Sequence, residues 1–166
     1  MTVYHATVDV HSPLHKPMFH DVTDAAREAV ATSGVKNGVV TVYSPHTTCS
    51  VMIQEESHDR LYDGTEHLLQ DLLDRLETLI PTCRHEGQYL HPGPMHIHHA
   101  VADLGEQAVW SLNTDAHLRS CLIGRSETIP IVGGSLQLGE FGRVYFVDFD
   151  GVRPRDRTVQ FQVLGE

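Results

Sequence analysis

The 166 residues are enough for one domain, residues 1–166, whose core takes roughly 70% of the unfolded chain's surface out of water. With 22 acidic against 12 basic residues the formal charge is −10, which opposes nucleic-acid backbones and anionic membranes and favours a small-molecule or protein partner. No apolar run approaches the ~20 residues of a membrane span, and the opening Met1-Thr2-Val3-Tyr4-His5 lacks the regions of a signal peptide, so a cytoplasmic location is expected.

In chain order, Thr2 to Val10 alternate well enough for a strand, and Thr23 to Ser33 read as a short helix closed by Gly34. Asn37-Gly38 turns into the β-branched run Val39 to Tyr43, and after Pro45 a second strand is predicted over Thr47 to Ile53. Period-two order puts Thr48, Ser50, Met52 and Gln54 on one face of it and Thr47, Cys49, Val51, Ile53 and Glu55 on the other. Ser57 to Pro81 holds the clearest helix, its leucines at three- and four-residue spacings, and Gly64 moves its start toward Thr65. After a loop rich in Gly and Pro, Pro94 opens a helix in which Ile97, Ala100, Val101 and Leu104 make an apolar stripe. His96, His99 and Asp103 share its other side. A short strand is expected near Gln107 to Leu112, then a helix from Asn113 or Thr114 to Leu122 before Gly124. Strands at Glu127–Val132, Arg143–Phe149 and Arg157–Leu164 finish the chain, with Gly133-Gly134 as a turn. Without regular βαβ alternation the fold class is α+β, mainly antiparallel sheet with two or three packed helices.

Thirteen histidines raise the prior for a metal or proton-transfer site. His46 and Glu55 stand near the two ends of one strand, about 30 Å apart if it is straight, so one chain brings them together only through a sharp bend. His85 with Asp115 and His117 offers N,N,O ligation, against the alternative that Asp115 serves the first turn of a helix. His96, His99 and Asp103 either bind a metal or supply an ordinary polar face. Cys49, Cys83 and Cys121 are far apart and support neither a disulfide framework nor a zinc ribbon, and Cys49 reads as a small core residue. In Arg153-Pro154-Arg155-Asp156-Arg157 three guanidiniums two residues apart project to one side of an extended chain, to hold a phosphate or to pair with acidic residues across a subunit interface.

Four ordered blocks resemble the YjbQ-like family, some of whose members carry the label secondary thiamine-phosphate synthase. They are His46-Thr47-Thr48-Cys49-Ser50 on to Glu55, Arg84-His85-Glu86, and Asn113 to Gly124. The fourth runs from Thr128-Ile129-Pro130 through Leu138-Gly139 and Val147-Asp148-Phe149-Asp150 to the Arg-Pro-Arg-x-Arg ending. The resemblance implies a barrel-like β-sandwich assembled as a homotrimer, with a polar site containing His46, His85 and His117. Two departures stand out: Gly139-Glu140-Phe141-Gly142 in place of the family's Gly-Thr-Trp-Gln, and an insert at about His91 to Leu112.

The activity so implied joins a pyrimidine methyl diphosphate to a thiazole phosphate, losing pyrophosphate with help from a divalent metal, zinc or magnesium. Such chemistry asks for stabilisation of leaving-group charge more than for a nucleophile. On this reading His46, His85 and His117 hold the metal, Arg119 and Glu55 act in catalysis, and Thr47, Thr48 and Arg125 meet the phosphorylated substrate. Two other readings remain: a non-catalytic metal- or small-ligand-binding trimer, and a metal-dependent hydrolase.

Overall fold

The computed structural model describes residues 1–13 and 15–166. Its strands are β1 (Thr2–Ser12), β2 (Met18–Asp21), β3 (Gly38–Tyr43), β4 (Cys49–Glu55), β5 (Ser126–Val132), β6 (Ser135–Leu136), β7 (Gly142–Asp148) and β8 (Arg155–Gly165). Its helices are α1 (Thr23–Ser33), α2 (His67–Leu79), α3 (Pro94–Ala102) and α4 (Thr114–Ile123). The strands form two antiparallel sheets, ordered β1-β8-β3-β5-β6 and β2-β7-β4. The expected α+β, barrel-like, mainly antiparallel sandwich is the fold found.

The layers follow from side-chain alternation. Val40, Val42, Ile129, Ile131, Val159, Phe161 and Val163 turn the inner face of the five-stranded sheet onto Cys49, Val51, Val144 and Phe146 of the smaller one, and Ala26, Ala29 and Val30 of α1 close that core. The other face of the three-stranded sheet carries Met52, Tyr145 and Val147, covered by Leu69 and Leu76 of α2 and Ala116 of α4. β4 and β7 are therefore buried on both sides, which is why they read as near-continuous apolar runs.

Three expectations change. β2 was not anticipated; it is four residues long, carries His20 and Asp21, and exists by pairing with β7. The segment expected as a strand near 107–112 is instead a 3-10 turn over Ala108–Ser111. Its N–H groups bond back locally, Trp110 to the Gln107 carbonyl and Leu112 to that of Val109, because no strand lies beside it to pair with. The long helix starts only at His67: Leu61 and Thr65 close a turn about Gly64, whose φ of 87° is outside helical space.

Phe146 is wholly buried between the sheets. Phe146→Ala is expected to cost about 3–5 kcal/mol of unfolding free energy in urea melts, and a loss below about 1 kcal/mol would contradict this packing.

Candidate functional site

The site begins where β3 ends. Pro45, lacking an N–H, takes the chain out of the sheet after Tyr43, the last residue of β3 to pair with β8, opposite Gln160. The next β8 N–H on the side of β3, that of Thr158, is left without a strand partner and donates to His46 Nε2 at 2.9 Å. An acceptor at Nε2 puts the proton of the neutral ring on Nδ1. His46 is held below the ordinary histidine pKa by burial first, then by Arg157 and Arg155, with Asp148 pulling the other way.

Arg157 continues the row of Val163, Phe161 and Val159 on the core face of β8, so its guanidinium enters the end of the sandwich. Its Nε donates to Asp148 Oδ2 at 2.9 Å, and its Nη2 to Thr48 Oγ1 at 3.0 Å and Asp148 Oδ1 at 3.2 Å. Arg155, two residues earlier, donates to Asp150 Oδ2 at 2.7 Å, and Asn113 at the head of α4 reaches the same oxygen at 3.4 Å. Thr48, Asn113, Asp150, Arg155 and Arg157, with Pro45, His46, Thr47 and His117, line an open cleft of about 330 Å³. Among the described residues two buried side-chain polar atoms lack a hydrogen-bond partner, Asn113 Oδ1 and Arg155 Nε, and both belong to this cleft.

His117 lies on α4. Burial lowers its pKa most, while the Thr47 backbone and Asp150 act to raise it. Two further histidines stand beside it: the His91 ring is 5.7 Å from that of His117 and 4.5 Å from that of His96, centroid to centroid. His91 is also held low, by burial and then by His96 and His117.

Of the residues predicted from sequence, His46, Thr47, Thr48 and His117 meet in the one cleft. His85 does not join them; it sits exposed in the loop before α3, its Nδ1 3.1 Å from the Glu86 carbonyl. Glu55 is exposed at the far end of β4, opposite Gly142, whereas Cys49 at the near end is opposite Asp148. Arg119 is buried and fastens α4 to the end of α2, donating to the Ile80 carbonyl and to Glu77 Oε2, both at 2.7 Å. Arg125 lies over the Tyr43 ring at 5.7 Å. Asp115 and His117 point apart, as positions i and i+2 of a helix must: Asp115 turns to the Cys83 N–H at 3.0 Å, His117 to the cleft. His96 likewise leaves its helical neighbours, His99 pairing with Asp103 at 2.6 Å. Cys49 is fully buried with its pKa driven up by burial and by Asp148, as suits a core thiol. The three arginines of the 153–157 run pair within the chain, with Glu106, Asp150 and Asp148.

Sequence reasoning gave no site role to Asn113, Asp150 or His91. The signal for Asp150 was present in Asp148-Phe149-Asp150, whose two carboxylates face two arginines at the same spacing on the next strand.

The family model described as UPF0047 protein YjbQ-like matches residues 7–166. The chain belongs to this family. It is 33% identical over 144 residues to a UPF0047 protein of Archaeoglobus fulgidus, covering 87% of this chain and 89% of that one. To a UPF0047 protein of Methanothermobacter thermautotrophicus it is 30% identical over 146 residues, covering 88% and 82%. A crystal structure of a hypothetical protein from Aeropyrum pernix superposes with a TM-score of 0.71 at 31% identity, covering 98% of both chains. One described as an uncharacterised conserved protein of the YjbQ/UPF0047 family from Clostridium acetobutylicum gives 0.71 at 28%, covering 96% of this chain and 99% of that one.

Two measurements check the site. Arg157→Leu leaves Asp148 buried without its cation and is expected to cost about 3–5 kcal/mol of stability by urea denaturation; a change under about 1 kcal/mol would show the pair is not closed in solution. His20, His46, His91 and His117 all have folded pKa values below 6.5. The unfolded chain therefore binds more protons just below that pH, so stability from these neutral rings is present above 6.5 and is lost as pH falls. Urea melts at pH 7 and pH 5.5 are expected to show the lower stability at pH 5.5, and equal stability would refute the depressed values.

Proposed function

We propose that the cleft between His46 and Arg155 binds a small phosphorylated metabolite and transfers its organic group with loss of diphosphate, as in thiamine-phosphate synthesis. The observation that carries this reading is the pair of unpartnered buried atoms. An unmet polar atom costs about 1–3 kcal/mol, and here an acceptor, Asn113 Oδ1, and a cationic donor, Arg155 Nε, occur together in one cleft. Both are shielded by neighbouring side chains, so a ligand meets them as those side chains part.

The protonation states assign roles. His46 Nδ1–H and Arg155 Nε–H are donors suited to phosphate oxygens, and a charge-assisted bond to the departing group strengthens as negative charge develops on it. Asn113 Oδ1 and the unprotonated nitrogen of His117 are acceptors suited to an amine or hydroxyl of the second reactant. Glu55 and Arg119, at the far end of β4 and in the α2–α4 joint, have supporting rather than contacting places in this reading. His46 has no lone pair to give a metal while Thr158 N–H occupies Nε2, and His85 lies elsewhere, so no step is routed through an ion held by His46, His85 and His117.

The homotrimer is part of the proposal. The outer face of the five-stranded sheet carries Thr41 and Thr128, bonded to each other at 3.0 Å, and Thr158 beside His46. A neighbouring chain seated there would wall the cleft.

A second reading, non-catalytic binding of the same ligand class, is favoured by one observation. Arg155 and Arg157 are already matched by Asp150 and Asp148, leaving little surplus positive charge for a leaving diphosphate.

Incubating the protein with both thiamine-phosphate precursors and following product by chromatography separates the two. Steady turnover, reduced at least about 100-fold in Arg155→Gln and in His117→Ala, is the expected result. Calorimetric binding without product would move the second reading ahead, and neither binding nor product would sink both.

A further inference from the structure

We infer that His91, His96 and His117 form a three-histidine site for a divalent transition metal of the zinc class. The three rings arrive from separate parts of the chain: His91 from the loop before α3, His96 from the first turn of α3, and His117 from α4. The inference rests on ring geometry and on the hydrogen bonds behind His91, and in the metal-bound state His117 gives its free nitrogen to the ion rather than to a ligand of the cleft.

The spacing suits one ion. A metal about 2.0–2.1 Å from an imidazole nitrogen lies about 3.2 Å from the ring centroid, so two rings at the tetrahedral angle have centroids about 5.2 Å apart. The observed separations, 4.5 Å for His91 to His96 and 5.7 Å for His91 to His117, fall on either side, with the ring planes steeply inclined at 61° and 79° rather than stacked. Among the described residues no three ligating side chains already converge on one point. His96, exposed near the start of a nine-residue helix, is the ring with most freedom to turn toward the other two.

The hydrogen bonds behind His91 select its lone pair. Thr114 Oγ1 donates to the His91 carbonyl at 2.5 Å, which uses its proton, so the 2.9 Å contact between Thr114 Oγ1 and His91 Nδ1 must be donated by the ring. His91 Nε2 is thereby left unprotonated. His117 stands beside this ring and faces the cleft. A ring N–H donated to a carbonyl or hydroxyl, with the opposite nitrogen available, is the arrangement that metal-binding histidines adopt. Three imidazoles without a carboxylate favour zinc, cobalt, nickel or copper over magnesium, and three protein ligands leave a position for water or substrate beside the cleft that His117 shares.

The test uses untagged full-length protein, stripped with a chelator and titrated with Zn²⁺ against a chromogenic competitor, then with Co²⁺ read by its visible absorption. The expected result is one ion per chain and the intense spectrum of tetrahedral cobalt. His91→Ala and His96→Ala should each weaken zinc by more than about 100-fold and Thr114→Val by about 10-fold, while His85→Ala leaves binding unchanged. Because His96 is exposed, its variant retains the fold, which circular dichroism confirms. No saturable binding, full binding by His96→Ala, or loss in His85→Ala would each overturn the site. None of these readouts depends on thiamine-precursor turnover, so failure of the proposed activity and failure of the metal site are separable.

Discussion

The ion pair between Arg157 and Asp148 ties the two sheets together at the end where the cleft opens. Arg157 belongs to β8 of the larger sheet and Asp148 to β7 of the smaller, and both side chains are nearly sealed from solvent. In that setting neither charge is tolerable without the other. The pair then organises what surrounds it: Thr48 gains its bond to Arg157, the Asp150 N–H turns onto Asp148, and Asp150 in turn collects Arg155 and Asn113. The core ends in a polar plug rather than in open apolar surface, and the cleft is the outer rim of that plug.

The strand-end geometry explains why a histidine belongs at position 46. A sheet that loses one strand early exposes an N–H on its neighbour, and an imidazole is one of few side chains able to accept there while still offering a donor on its far side. Charge works in the same direction, since two nearby guanidiniums and partial burial disfavour the imidazolium. A site built from neutral rings in a strongly acidic protein needs such local cations.

Local signals in the sequence were reliable where structure is decided locally. α1 spans Thr23–Ser33 and ends at Gly34 with φ of 72°, as the glycine implied. The same reasoning failed at Ala108–Ser111, where a short strand was expected but no sheet edge was available, and at β2, whose four residues acquire their conformation from β7. The cleft was legible in part. His46, Thr47, Thr48 and His117 sit in blocks that resemble the family. Asn113 reads as a helix cap, and Asp150 and Arg155 become partners only once the two sheets close on each other where β7 ends and β8 begins. Asp115 and Arg119 looked functional by type and serve packing joints, because a sequence does not reveal which face of α4 is turned inward.

The attachment of α3 bears on how the molecule opens. This helix packs chiefly on the 3-10 turn that follows it, and only Ala100 among its residues is buried, while Met95, Val101 and Leu104 are exposed. The segments on either side of it are tied to the rest by Arg153 against Trp110 and Glu106, and by Thr114 against His91. Opening it exposes little apolar surface that is not already wet, so the segment constitutes a cooperative unit of low stability beside a rigid sandwich. Amide hydrogens of α3 then exchange through local rather than global unfolding, and anything that bridges His96 to α4 joins that unit to the core, changing the number of independently melting parts from two to one.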